Sequence, residues 1–309
     1  MPPVFTVFTP TYNRGHVLHR VYESLLHQTF RSFEWLIIDD GSCDNTEAVV
    51  EEWVKDPKTF FPIRYIKQAN GHKKTAHNHA VREASGELFL PLDSDDRCVP
   101  NALEQLYFHW TAIPAENRHA YSGVTGLCVD QHGVEIGDRF PVEQWLDSNP
   151  LDIRYRYRIN GEQWGFTRTD ILKNYLFPED IPGHVPENIV WFSIARSYKS
   201  RFINEILRIY YKEDVNDNIM NGSNFSSISP GLLYWKCQIL SDDLSYFRYN
   251  FFYFLAEGAR LTRFYLHCPD FQKRAYWPKG FWGKAIVVVM APVGFIWWGW
   301  DVIRKKIER

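Results

Sequence analysis

A chain of 309 residues, 45% apolar and 23% charged, has the length for a full core and for one large domain or a domain with an appendage, which excludes a peptide-sized scaffold. With 35 basic against 37 acidic residues the formal net charge is −2, so there is no field for capturing nucleic acid and no nucleic-acid partner is expected. The five cysteines are odd in number, far apart and never in a C-x-x-C pair, which argues against a disulfide framework or a zinc site and fits a reducing cytoplasm.

Met1-Pro2-Pro3 leads straight into an apolar run without a basic and hydrophobic leader, so no secretory signal is expected. Val4 to Thr9 reads as a β-strand, Val17 to His27 as a helix, Glu34 to Ile38 as a strand and Thr46 to Lys55 as a helix. The rhythm continues with a strand at Ile63 to Ile66, a helix from Thr75 to Ala84, a buried strand from Glu87 to Leu92 and a helix from Asn101 to Trp110. Alternation of this kind builds a parallel α/β sheet, and ligands bind beyond the carboxyl ends of its strands. The unusual polar residues fall there: Thr11 to Arg14, Asp39-Asp40 and Asp93 to Asp96.

The run Leu88-Phe89-Leu90-Pro91-Leu92 delivers three carboxylates into one short turn. Alternation along an extended chain sends Asp93 and Asp95 to one side and Ser94 and Asp96 to the other. Like charges about 5 Å apart repel by roughly 3 kcal/mol at an effective dielectric near ~20, so the cluster favours a cation. Hard oxygens without Cys or His ligands suit Mg²⁺ or Mn²⁺, ions that bring substrate phosphates into their shell. The competing reading is a solvated Asp-rich turn leading to a helix N-cap near Asn101. Gly71 to Asn78 approaches a helix start, where backbone N–H groups and dipole favour phosphate. Lys73 and Asn78 are the candidates there, with a solvated lysine as the alternative.

Tyr121 to Arg139 reads as a hairpin turning at Gln131-His132-Gly133. Gly161 to Phe166 reads as a strand and bend in which Trp164 either offers a stacking face, as to a sugar ring, or fills the core. Thr169 to Tyr175 and Pro186 to Tyr198 predict helices, and Phe202 to Tyr211 a strand. Asn216 to Ser229, rich in Asn and Ser, punctuates the chain and divides it into a catalytic domain over 1–215 and a helical region over 216–309. Pro230 to His267 is helical in pattern and heavily aromatic. Ala285 to Trp300 is uncharged, flanked by Lys284 and by Arg304, Lys305 and Lys306, with Trp297, Trp298 and Trp300 at one edge. Pro292 and Gly294 break that stretch in the middle, so the apolar segment near 281–303 predicts an in-plane or re-entrant membrane contact, peripheral or monotopic at the inner face of the cell membrane. A buried helical hairpin is the alternative.

Thr9-Pro10-Thr11-Tyr12-Asn13-Arg14, Gln28-Thr29-Phe30, Ile37-Ile38-Asp39-Asp40-Gly41-Ser42 and Asp93-Ser94-Asp95-Asp96, in this order, resemble the motif set of bacterial-type family 2 glycosyltransferases over roughly residues 4 to 215. The resemblance implies the GT-A nucleotide-diphospho-sugar transferase fold, a Rossmann-like mixed sheet flanked by helices, here with a C-terminal helical appendage. It implies a metal-dependent, inverting transfer from a nucleotide-sugar, a UDP-sugar favoured, to a glycan, lipid-linked or polysaccharide acceptor. It further implies that Pro10, Thr11, Tyr12 and Arg14 line the base and ribose and that Asp40 accepts a hydrogen bond from the base. Asp95 would ligate Mg²⁺ or Mn²⁺ directly, Asp93 would lie at the metal or ribose, and Ser94 belongs to the same donor set.

Related sequences often carry Gly-Lys-His where this chain has Gly71-His72-Lys73-Lys74. His184-Val185-Pro186-Glu187 resembles the Pro-Glu segment that carries the catalytic base of such transferases, which makes Glu187 the expected base. Its plain alternative is complementing a helix dipole, and Glu179 and Asp180 are the competing carboxylates. A sugar-phosphate nucleotidyltransferase would need a Gly-rich first loop that Thr9 to Arg14 lacks. A GT-A protein that binds without turnover is the other alternative, and the presence of both Asp95 and Glu187 counts against it.

Overall fold

The computed structural model describes residues 2–212, 225–268 and 276–307. Contacts group the chain into two units, one of Met1–Arg154, Ile159–Phe177 and Phe192–Glu213, the other of Tyr155–Arg158, Pro178–Trp191 and Asp214–Arg309. The expected border at 215/216, and the Asn-rich stretch from Asn216 to residue 224, lie outside the described residues.

In the first unit, β1 (Phe5–Thr11), β2 (Phe33–Asp39), β3 (Ile63–Lys67) and β4 (Leu88–Pro91) alternate with α1 (His19–Leu26), α2 (Thr46–Lys55) and α3 (His72–Glu83). These four strands pair in parallel, in the order β3-β2-β1-β4. A parallel sheet carries helices on both faces, so its strands are apolar without alternation. Phe5, Val7, Phe8, Leu36, Ile37, Ile38, Leu88, Phe89 and Leu90 are accordingly all fully buried. Trp35 on β2 stacks with Tyr22 of α1 and Trp53 of α2, while its indole N–H donates to Thr9 Oγ1 at 3.0 Å. The helix α2 spans the predicted range residue for residue, and the other elements of this half differ at their ends by a few residues.

After β5 (Arg97–Cys98) and α4 (Ala102–Thr111) come β6 (Tyr121–Asp130), β7 (Trp145–Ser148), β8 (Gln163–Arg168), α5 (Thr169–Leu172), α6 (Asn188–Ala195) and β9 (Lys199–Tyr210). The sheet continues β4-β8-β6-β9-β5, with β7 also on β9. Because β8 is antiparallel to both β4 and β6, and β9 is parallel to β6, the sheet is mixed. The expected hairpin from Tyr121 to Arg139 is corrected here. The turn at Gly133 exists, held by Asp130 Oδ1 accepting the N–H groups of His132 and Val134 at 3.0 Å, but among the described residues the returning chain forms no strand: it meets the end of β6 at the isolated bridge Val129↔Glu135 and then bridges Gly137 to Gly161. The two long edges of β6 are taken instead by β8 and β9.

The second unit contains α7 (Phe225–Asp242), α8 (Phe251–His267) and α9 (Phe281–Ile307). The expected break at Pro292 and Gly294 does not occur, because α9 runs through both residues. Gly294 serves a close approach instead: a Cβ there would lie 2.5 Å from Thr262 Cβ and 2.6 Å from the Ala259 carbonyl oxygen, both on α8.

Candidate active site

Adjacent parallel strands β2, β1 and β4 end at Asp39, Thr11 and Pro91, so their carboxyl-end loops meet at one edge of the sheet. The first two loops are stapled together. The Asp40 N–H donates to the Thr11 carbonyl at 2.8 Å, the Asn13 N–H to Ser42 Oγ at 2.8 Å, and the Cys43 N–H to Asn13 Oδ1 at 2.8 Å. Asn13 adopts φ 53°, a left-handed conformation that asparagine tolerates better than most residues, and Gly41 takes φ 91°. This turn leaves Tyr12 with half its surface exposed and Pro10 half-buried, while the Thr11 hydroxyl is buried with no hydrogen-bond partner among the described residues.

The two acids after β2 differ in use. Asp39 accepts the Ser42 N–H at 2.7 Å and the Tyr65 hydroxyl, and burial together with this carboxylate pushes the Tyr65 phenol up. Asp40 Oδ1 accepts the Gln68 amide at 2.7 Å and the Gly71 N–H at 2.9 Å. The first N–H at the start of α3 therefore points at a carboxylate of the neighbouring loop.

At the end of β4 the chain closes a turn, with the Asp96 N–H donating to the Asp93 carbonyl at 3.2 Å. The alternation is kept in burial: Asp93 and Asp95 are partly exposed, whereas Ser94 and Asp96 are buried. Each acid has its own base. Lys73 Nζ is 2.7 Å from Asp93 Oδ1, Arg14 Nη1 is 3.2 Å from Asp95 Oδ2, and Arg208 Nε is 3.6 Å from Asp96 Oδ2. Arg20 donates to the Asp95 carbonyl at 3.2 Å and lies over the Tyr211 ring. Burial acts to raise the pKa of Asp93, but the charges of Lys73 and Arg208 outweigh it and hold the group below the usual carboxylate range. For Asp96 burial wins: the pKa rises to about 7, opposed by Arg208 and assisted by Asp93 and Asp95. Burial also opposes the charge of Arg208, but Asp96, Asp93 and Glu162 hold its pKa above the ordinary arginine value.

Arg208 and Arg20 form the part of the site that sequence reasoning missed, whereas Asp96 belongs to the expected acidic turn and gains from the structure its buried partner Arg208. Pairing of Cys98 with Arg208 across β5 and β9 brings Arg208 beside the acidic turn. The available signal was an arginine between Leu207 and Ile209 in a predicted strand, on the polar phase of the alternation.

Hard carboxylates at a partly exposed turn suit Mg²⁺ or Mn²⁺, and side-chain exposures of 34% for Asp93 and 28% for Asp95 leave both accessible to an ion. Among the described residues no group of three His, Cys, Asp or Glu side chains is arranged to hold a metal. Two carboxylates fit the ion only if substrate oxygens and water complete its shell, the usual arrangement for Mg²⁺.

Two expected contacts are corrected. Asn78 is buried in α3, where its amide donates to the Phe177 carbonyl at 2.9 Å and its Oδ1 accepts the Phe177 N–H at 2.8 Å, so both ends of the side chain clip a backbone in place and do not face a phosphate. Trp164 is buried on β8, within the core that includes Phe5, Trp110 and Phe166, and its indole N–H donates to the Pro91 carbonyl. It offers no ring face to an acceptor sugar. Glu187 is exposed and belongs to the second unit, immediately before α6, with its carbonyl accepting the Val190 N–H at 3.0 Å. Glu179 and Asp180 are exposed in that unit as well.

A mixed sheet whose parallel strands end together beside an Asp-Ser-Asp-Asp turn is the architecture of the GT-A class of nucleotide-sugar transferase folds. Residues 6–169 match the family described as glycosyl transferase family 2, and the chain belongs to that family. Over 214 residues it is 28% identical to the GalNAc(5)-diNAcBac-PP-undecaprenol beta-1,3-glucosyltransferase of Campylobacter jejuni, covering 67% of this chain and 64% of that one. Over 104 residues it is 36% identical to the poly(ribitol-phosphate) beta-N-acetylglucosaminyltransferase TarP of Staphylococcus aureus, covering 33% and 31% of the two chains. This chain thus spans less than two thirds of these relatives. Among solved structures, S. aureus TarS 1–349 in complex with UDP-GlcNAc matches with a TM-score of 0.58 at 20% identity, covering 85% of this chain and 72% of that one. The mannosyltransferase PcManGT of Pyrobaculum calidifontis, in complex with GDP-Man and Mn²⁺, matches with a TM-score of 0.55 at 16% identity, covering 96% and 81%. At such identities the two structures speak for the fold.

Proposed function

We propose that the chain transfers a sugar, with inversion, from a UDP-sugar to a lipid-linked or other glycan acceptor, assisted by Mg²⁺ or Mn²⁺, at the inner face of a membrane that it contacts through residues near 281–303. The observation that carries the reading is the strand-end acidic turn with Lys73 on Asp93 and Arg14 on Asp95. Two cations and two carboxylates in direct contact can rearrange around a metal and a diphosphate, each base exchanging a carboxylate for a phosphate oxygen. The ion, when bound at Asp95 and Asp93, supplies neutralisation of the departing diphosphate.

In this reading Tyr12 covers the base with its exposed ring, and Pro10 and the buried, unspent Thr11 hydroxyl complete that wall. Asp40 accepts the base N–H through the carboxylate that Gln68 and Gly71 orient. Ser94 shapes the turn between the two ligands, and Arg14 and Lys73 hold the diphosphate. Glu187 takes the proton of the acceptor hydroxyl, as a single displacement with inversion requires of a carboxylate opposite the leaving group. Acceptor chemistry follows the Campylobacter relative, whose name specifies a polyprenyl-diphosphate-linked glycan. The catalytic part is assigned to 1–215 and the helical part to 216–309.

A screen of nucleotide-sugars by thermal stabilisation tests the assignment, because a ligand that binds only the native state raises the melting temperature by mass action. A UDP-sugar should stabilise the protein in the presence of Mn²⁺, Asp95→Ala should abolish the Mn²⁺-dependent part, and Glu187→Gln should keep it while losing transfer. A fully active Glu187→Gln enzyme would move the base to another carboxylate.

A further inference from the structure

The helix α9 has two unlike faces. Inward it is fastened to α8: Ile286 packs on Gly258, where a Cβ would lie 2.8 Å from its Cγ2, and Gly294 packs on Thr262. Farther along, Asp301 accepts from Arg263 Nε at 2.6 Å and lies 2.9 Å from His267 Nε2. Outward, Trp282, Val288, Val289, Phe295, Ile296 and Trp300 are each more than half exposed. From Trp282 to Trp300 this stripe is about 27 Å long at the helical rise of ~1.5 Å per residue. Lys284 and Arg304 are exposed near its ends, and the one charge between them in sequence, Asp301, is engaged by α8.

By length and composition Phe281–Arg304 could cross a bilayer. Its partner helix forbids it. At the level of Ile286 to Gly294, α8 carries Glu257, which lies 2.9 Å from Lys236 of α7 and 2.6 Å from Arg260, and the Arg260 side chain is 40% exposed. A spanning α9 would carry these charges into hydrocarbon, where each is costly. Lying flat, α9 needs only its outer stripe in the lipid, and α8 stays in water.

We infer that α9 is an in-plane anchor that seats its outer stripe in the interfacial layer of a bilayer with anionic headgroups. Tryptophans at both ends are the side chains that favour that layer, and Lys284 and Arg304 meet the headgroup charge at the same two points. The inference deepens the membrane contact of the proposed function and gives it an orientation.

The test uses the full chain and sealed vesicles of phosphatidylcholine with or without phosphatidylglycerol. The chain should float with the anionic vesicles, and Val289→Glu with Ile296→Glu, both on the outer face, should lower its partition at least ~10-fold with the melting temperature kept. On a Cys43→Ser background, which removes an exposed thiol, Lys279→Cys and Arg304→Cys are added singly to vesicle-bound protein. A membrane-impermeant maleimide should label both without detergent. Labelling of only one before detergent would make α9 a span and overturn the inference. So would absence of flotation combined with a dimer that the same two glutamates dissociate, since the stripe would then join copies of the chain. Nucleotide-sugar turnover in the same samples separates the two claims. A chain that transfers sugar yet never floats removes the anchor alone, whereas a chain that floats yet binds no nucleotide-sugar leaves the anchor and removes the transferase reading.

Discussion

Arg208→Met removes the guanidinium beside Asp96, a carboxylate with about 1% of its side chain exposed. At 3.6 Å and an effective dielectric near ~20, the attraction lost is roughly 5 kcal/mol. Protonation of Asp96 limits the damage, and breaking a buried pair from one side costs about 3–5 kcal/mol. For a chain of this size that is a fall in melting temperature of roughly 10 °C. The sign of the pH dependence is fixed by Asp96. Its folded pKa of about 7 stands above the ordinary 3.8, so its contribution to stability is fully present below pH 3.8 and is lost as pH rises through 7. Without Arg208 the folded pKa climbs further and the loss continues above pH 7, so the deficit of the variant should be larger at pH 8 than at pH 6. Thermal melts at the two pH values without metal or nucleotide read this out, and Asp96→Asn in the variant should remove the difference. A melting temperature unchanged at pH 8, or a deficit that grows as pH falls, would refute the reasoning.

Burial, with a smaller contribution from Lys73, lowers the His77 pKa to about 3 among the rings of Phe8, Phe89 and Phe177. Because the unfolded imidazole titrates near 6.5, this group costs stability only below that pH, roughly 2 kcal/mol by pH 5. His77→Phe should flatten that part of the acid branch in urea melts. Asn78→Ala should cost about 1–3 kcal/mol through the freed Phe177 backbone and leave nucleotide affinity unchanged by calorimetry. Trp164→Phe should lower the melting temperature and leave the acceptor KM unchanged, and a rise in KM alone would return Trp164 to the acceptor site.

The first half of the fold was legible because a parallel strand buried on both faces leaves a run of consecutive apolar residues, as in Trp35-Leu36-Ile37-Ile38, and α1 and α2 between such strands carry an apolar stripe. The motif-bearing loops were legible for the same reason: polar residues stand where those runs end. The second half depended on long-range pairing. Nothing local to Tyr121–Asp130 announces that its partners are Gln163–Arg168 and Lys199–Tyr210, so the Gly133 turn suggested a hairpin that the structure reduces to one bridge. Gly294 misled in the same way, because the close approach it serves is to α8, an element that no local pattern announces. Asn78 and Trp164 stood near the right motifs but face backbone carbonyls and the core, a direction that spacing alone does not fix. The partnership of Asp96 with Arg208 arises only when β5 lies on β9.

The central claim is that the acidic turn after β4 receives a divalent ion together with a nucleoside diphosphate. A crystal soaked with UDP and Mn²⁺, measured at the manganese absorption edge, should show an anomalous peak within about 2.0–2.4 Å of an Asp95 oxygen and of diphosphate oxygens, with Lys73 moved from Asp93 to phosphate. UDP bound with no such peak, and Lys73 and Arg14 still on their carboxylates, would contradict it.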